Sequence, residues 1–141
     1  MISIKLRKVF KKDWDYILKL RNFEEFKKNF YNQEIILKNE HYDYLKKQKI
    51  NPNFVNWIIC YGEKDVGYVR ILDCDVSIII DKKYQNKGIA TKALIVIENE
   101  AKKIGIKKLV GRIMVHNKSS KKIFTENNYK LKMWWYEKKI E

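Results

Sequence analysis

One proline, two cysteines, two histidines and five glycines are all that this 141-residue chain carries of the residues that most constrain a backbone or bind a metal. Two cysteines make no disulfide scaffold. If the turn at Gly62-Glu63-Lys64-Asp65 folds its flanks into a hairpin, Cys60 falls opposite Gly67 and Cys74 lies near the far end, about seven residues along a ladder that rises roughly 3.3 Å per residue, so both thiols are expected to be free. His41 and His116 are too few and too far apart for a zinc site, and no metal is expected. No apolar run approaches the ~18 residues of a membrane span. The opening Met1-Ile2-Ser3-Ile4-Lys5-Leu6-Arg7 is too short and too charged for a secretory signal, which points to the cytoplasm.

Arginine is scarce too. The formal charge is +14, yet the cations are 27 lysines and only four arginines, spread along a chain also rich in isoleucine and asparagine, the pattern an AT-rich coding sequence produces. Guanidinium is the group suited to bidentate phosphate and base contacts, so this balance reads as a solvated lysine surface and argues against a nucleic-acid partner. Such a surface still steers a polyanionic cofactor or a nucleotide-linked substrate inward.

The length fits a single domain over residues 1–141. Ile2 to Val9 alternates as a half-buried strand, and Asp13 is placed to cap a helix through Trp14, Ile17 and Leu18 toward Arg21. Phe23, Phe26 and Phe30 mark a second helix, and Leu37 to Gln48 a third, closed by Asn51-Pro52-Asn53. Phe54–Tyr61, Asp65–Leu72 and Asp75–Ile80 read as three strands of an antiparallel meander. A helix from Gly88 to Ile104, a strand over Lys108–Val115, a helix from Asn117 and a last strand over Lys130–Lys138 complete the order β-α-α-α-β-β-β-α-β-α-β.

The junction between the apolar strand Val76-Ser77-Ile78-Ile79-Ile80 and the Gly88 helix carries the chemistry. A helix start offers N–H groups without internal partners and the positive end of the dipole, and Gly88 and Ala90 let an anion approach. Gln85-Asn86-Lys87-Gly88-Ile89-Ala90 also resembles the Gln/Arg-x-x-Gly-x-Gly/Ala signature of the GCN5-related N-acetyltransferase superfamily. A second feature follows in the expected succession: the strand-like Lys108–Val115 followed by His116-Asn117-Lys118-Ser119-Ser120-Lys121-Lys122-Ile123-Phe124 resembles that family's Val-x-x-Asn-x-x-Ser/Ala segment, a strand and then a helix flanking the cofactor, and Asn127-Asn128-Tyr129 its Gly/Asn-Phe/Tyr element. The resemblance spans essentially the whole chain. It implies an α/β fold of the α+β kind, with a mixed, mostly antiparallel sheet whose middle strands splay to admit the pantetheine arm of acetyl-coenzyme A.

It also implies roles. Gln85, Asn86, Lys87, Gly88, Ile89, Ala90 and Thr91 would hold the pyrophosphate, backbone groups of Ile78, Ile79 and Ile80 would pair with the pantetheine amides, and Asn117, Ser119 and Phe124 would flank the cofactor. Asp75 is the candidate base, with a turn aspartate as the plain alternative. Many members protonate the departing thiolate with a tyrosine where this chain has Phe124, so the acid passes to Tyr129 or to water; Tyr129 serves equally as a core anchor. His41 is a weaker candidate for proton transfer, since a lone helical histidine is more often structural. With no cysteine beside the loop, the amine attacks directly rather than through an acyl-enzyme.

For the acceptor, Leu20-Arg21-Asn22, Phe30-Tyr31-Asn32 and Asn39-Glu40-His41-Tyr42 resemble the N-terminal segment of acetyltransferases that modify nucleotide-linked amino sugars in pseudaminic acid synthesis, and more loosely that of ribosomal-protein N-terminal acetyltransferases. Arg21, Asn22, His41 and Trp135 are the substrate-binding candidates. The expected acceptor is a small-molecule amine, preferably a nucleotide-linked sugar, handled by a monomer or homodimer. A protein or peptide α-amine, and a basic nucleic-acid-binding module without turnover on the same fold, are the alternatives.

Overall fold

The computed structural model describes residues 3–141, so Ile2, part of the expected first strand, lies outside the described residues. β1 (Ile4–Lys8) leads through a 3₁₀ turn into α1 (Trp14–Asn22), α2 (Glu24–Lys27) and α3 (Lys38–Gln48); β2 (Phe54–Tyr61), β3 (Lys64–Leu72) and β4 (Asp75–Ile80) follow, then α4 (Ile89–Lys103) and α5 (Lys118–Glu126). The strands pair antiparallel in the order β1-β2-β3-β4. Their alternation sends one set of side chains to each face. Val69, Ile71, Val76 and Ile80 meet Ala93, Leu94 and Ile97 of α4 on one side. Ile58, Tyr68 and Ile79 meet Trp14, Ile17 and Leu20 of α1 and Leu45 of α3 on the other.

Several local expectations are corrected. Asp13 makes no side-chain cap on α1. Its carboxylate instead accepts from the Phe10 N–H at 2.8 Å and from both terminal nitrogens of Arg7 at 2.8 and 2.9 Å, because a guanidinium on the adjacent strand satisfies it better than one amide. Arg7 holds the Asp13 carboxyl below the usual carboxylate range. The second helix is a single turn, since Phe23 is extended. A bulge between Ile59 and Cys60 shifts the hairpin register, so Gly67 faces Ile59, and Cys60 faces Asp65. Both thiols are free, as expected.

The largest departure concerns the C-terminal third. The expected strand over Lys108–Val115 contributes one parallel bridge, at Val110 with Asp75, and the segment Lys130–Lys138 forms no strand. Trp134 and Trp135 are 71% and 68% exposed, so neither joins the core. No described helix is long and apolar enough to cross a membrane.

Candidate active site

The single bridge fixes where β4 parts from the next segment. The Val110 N–H donates to the Cys74 carbonyl at 2.8 Å and its carbonyl accepts from the Val76 N–H at 2.9 Å. Backbone groups of a strand alternate between its two neighbours, so Val76, Ile78 and Ile80 turn to this side while Ser77 and Ile79 turn to β3. Beyond Val76 the only bond on the open side among the described residues is from the Gln85 side-chain amide to the Ile80 carbonyl, 3.0 Å. The Ile78 N–H and carbonyl and the Ile80 N–H therefore lack described partners. Ile79, grouped with them in the sequence reading, is corrected: its backbone belongs to the β3 ladder.

At the end of this edge the chain forms an amide cradle. Asn86 and Gly88 both take positive φ, 61° and 74°, which curls successive N–H groups toward one side. From Asn86 through Thr91 no backbone N–H has a described partner; Lys92 is the first to bond, to the Gly88 carbonyl. No side chain caps α4. A Cβ on Gly88 would meet nothing within 4 Å, so the space over the cradle is open, and the conformation itself favours glycine. Ile89 is buried and anchors the turn in the core. Lys87, 5.9 Å from the Tyr84 ring centroid, leaves its ammonium exposed beside the cradle.

The fold and this geometry meet an independent finding: a family model described as acetyltransferase (GNAT) domain matches residues 3–130. The chain belongs to the GNAT acetyltransferase family. It is an N-acetyltransferase of that type. Similar solved structures include a domain from Methanocaldococcus jannaschii DSM 2661, 26% identical over 92% of this chain and 90% of that one, with a TM-score of 0.80. Spermidine N-acetyltransferase from Vibrio cholerae, solved with CoA and spermine, is 18% identical over 88% and 79%, TM-score 0.77. Microcin C7 self-immunity acetyltransferase MccE, solved with acetyl-CoA and AMP, is 20% identical over 87% and 76%, TM-score 0.68. No curated protein matches.

The residues present fit the acetyl-CoA that such GNAT structures hold. A run of unpaired amides at the start of a 15-residue helix suits a pyrophosphate, and the free edge at Ile78 and Ile80 suits an amide-bearing arm. The Gln85 side chain is spent on Ile80, so it ties the cradle to β4 rather than touching a ligand. Asn117 caps α5 by accepting from the Ser120 N–H at 3.2 Å, while Ser119 is exposed. Phe124 is buried; its ring lies 2.4 Å from where a Cβ on Gly111 would sit and 4.8 Å, edge on, from the Tyr129 ring, so it fills the core beneath the splay.

The candidate proton carriers divide. His41 is corrected to a structural residue: it is 3% exposed, bonds the Trp14 carbonyl at 2.8 Å, and burial pushes its pKa below the usual value, holding it neutral. The Tyr129 hydroxyl is buried without a hydrogen bond, and burial, with Glu98 nearby, pushes its pKa up, which makes it a poorer acid. Asp75 sits where β4 and the next segment are still joined; one carboxylate oxygen binds Arg70 at 2.9 Å, and the other is buried without a hydrogen bond, with Arg112 Nε at 3.9 Å.

On the α1–α3 face, Arg21 lies half-buried at the end of α1 with its guanidinium 5.4 Å from the Phe30 ring centroid, and burial lowers its pKa. Asn22 is corrected: its amide both donates to and accepts from Ile36 at 2.8 Å, pinning the α2–α3 connection instead of facing a substrate. Trp135 is exposed, stacked against Arg112 at 5.8 Å. Sequence reasoning missed Arg70 and its row. Asn56, Arg70 and Ser77 pair directly across β2, β3 and β4, and each is the polar interruption of an apolar strand, a signal readable once the register is known.

Proposed function

We propose that this GNAT domain transfers the acetyl group of acetyl-CoA to the primary amine of a nucleotide-linked amino sugar by direct attack. The observation that carries the reading is the unpartnered Ile78 amide on the open edge of β4, continuous with the amide cradle at Asn86–Thr91. When bound, acetyl-CoA supplies an activated thioester carbonyl. The Ile78 N–H is oriented to donate to that carbonyl oxygen, and a donor fixed in a water-poor cleft is worth ~10²–10³ in rate. Asp75, through its free oxygen and a bridging water, takes the proton of the amine; its position about three residues along the strand, roughly 10 Å from Ile78, rules out direct contact in this conformation.

Neither thiol supports an acyl-enzyme. Cys60 is buried on β2 beside Asp65 and burial raises its pKa, while Cys74 lies in the β3–β4 turn. The sugar-nucleotide preference draws on the N-terminal resemblance and on a half-buried arginine on the acceptor face. MccE, a neighbour of the same fold solved with acetyl-CoA and AMP, is in keeping with that preference.

The test is release of free CoA thiol with three amines in parallel: a nucleotide-linked 4-amino sugar, a peptide with a free α-amine, and spermidine. Turnover confined to the first is expected, with Asp75→Asn lowering kcat by about 10²-fold or more and leaving KM for acetyl-CoA unchanged. Turnover with the peptide or spermidine alone would overturn the choice of acceptor.

A further inference from the structure

At the β1–β2 edge of the sheet, an open groove of about 600 Å³ lies between the end of β1, the last turn of α3 and the first residues of β2. That volume falls within the roughly 300–1,000 Å³ of small-molecule sites. The turn after β1 shapes it: the Phe10 N–H and the Arg7 guanidinium both hold the Asp13 carboxylate, at 2.8–2.9 Å, which fixes the backbone and leaves the Phe10 ring 51% exposed. Trp14, Phe54 and Trp57 supply further aromatic walls. Lys8, Lys11 and Lys49 line the same groove, and no carboxylate does. Among the described residues the lysines that pair with acids are Lys27, Lys38, Lys82, Lys103 and Lys122, so the charges of these three stay uncompensated. Lys49 is held in place, its ammonium 5.1 Å from the Trp14 ring centroid. Aromatic faces beside unneutralised cations suit a ligand that is planar at one end and anionic at the other, and a nucleoside diphosphate is both.

The groove is also in line with the transfer edge. Trp57 pairs with Val69 and Val69 with Ile78, so two strand spacings, roughly 10 Å in all, separate it from the open amide. Asn56, which lines the groove, starts the polar row that continues through Arg70 to Ser77, and all three are partly exposed. We infer that this groove is a nucleoside diphosphate site, with the base against Phe10 and the phosphates on Lys11 and Lys49, and that it seats the nucleotide half of the acceptor while the polar row leads the amino sugar toward β4. The inference deepens the proposed function and rests on it for the acceptor. The acetyl-CoA cradle follows β4, at the opposite edge of the sheet, so the two anionic ligands share no cation.

Calorimetric titration of CoA-saturated protein with uridine diphosphate, adenosine diphosphate and inorganic pyrophosphate tests the site without any turnover, because CoA already fills the cradle. At least one nucleotide is expected to bind, and more tightly than pyrophosphate. Lys11→Gln and Lys49→Gln should each weaken nucleotide and pyrophosphate alike, about tenfold. Phe10→Ala, at an exposed position, should weaken the nucleotide about tenfold and leave pyrophosphate unchanged. Lys64→Gln, which removes one charge at the β2–β3 turn, should change neither. No nucleotide binding, pyrophosphate bound as tightly as the better nucleotide, or equal losses in Lys11→Gln and Lys64→Gln would overturn the inference. In turnover with the nucleotide-linked amino sugar, Lys11→Gln should raise KM for the sugar about tenfold with kcat unchanged. Nucleotide binding without acetyl transfer to any amine would retain the groove and remove the proposed function. Transfer to the nucleotide-linked sugar with KM unaltered in Lys11→Gln and Lys49→Gln would retain that function and overturn the groove's part in it.

Discussion

Two glycines show how differently a single missing Cβ is used. Gly88 stands at φ +74° with open space where a side chain would go, so its need is conformational and its vacancy serves the ligand. Gly111 has the opposite need: the Phe124 ring occupies that position at 2.4 Å. Gly111→Ala is predicted to lower stability by about 1–3 kcal/mol by overpacking, and Phe124→Leu in the same chain to recover part of the loss, measured by urea unfolding. Equal losses in single and double variants would separate the two residues. The glycine of the cradle was legible in the sequence because its neighbours form a motif. Gly111 was not, because its partner lies 13 positions along the chain across a tertiary contact.

At the scale of elements, the sequence pattern located β2, β4, α1, α3 and α4, and the start of α5, to within a residue or two: the helices each bury one face and leave the other wet, whereas β2 and β4 are apolar runs covered on both faces. The strand over Lys108–Val115 and the last one read equally well from alternation, but pairing depends on a neighbour that sequence does not name, and here only Val110 bonds. The candidate site divides along the same line. Backbone features of the cradle were readable, whereas the fates of His41 and Asn22 depended on which surface each helix buried. His41 links α3 to α1 in the neutral form. Its folded pKa lies below the unfolded value near 6.5, so below about pH 6.5 the unfolded state takes up a proton that the folded state refuses, and stability falls with pH until the lower folded pKa is passed. Thermal melts should therefore drop between pH 7 and pH 5, and His41→Gln should flatten that slope. A slope unchanged in the variant would place the titrating group elsewhere.

For the whole molecule, the formal charge of +14 is a long-range field acting on polyanionic ligands. Lysines spread over the surface contribute to that field without specifying a site. Association with acetyl-CoA should slow as ionic strength rises from about 0.05 to 0.5 M, where the screening length shrinks from roughly 14 to 4 Å, with dissociation changing less. Stopped-flow binding at several salt concentrations separates the two rates; a salt effect confined to dissociation would contradict steering.

The central claim is that the amide cradle at Asn86–Thr91, with the free edge of β4, is the acetyl-CoA site. Its most direct test is calorimetric titration of acetyl-CoA into the wild-type protein and into Gly88→Trp, whose indole would occupy the open space over the cradle, with circular dichroism verifying that both are folded. One-to-one binding by the wild type, lost in the folded variant, is the predicted result. Absence of binding by the wild type, or equal affinity in both proteins, would contradict it.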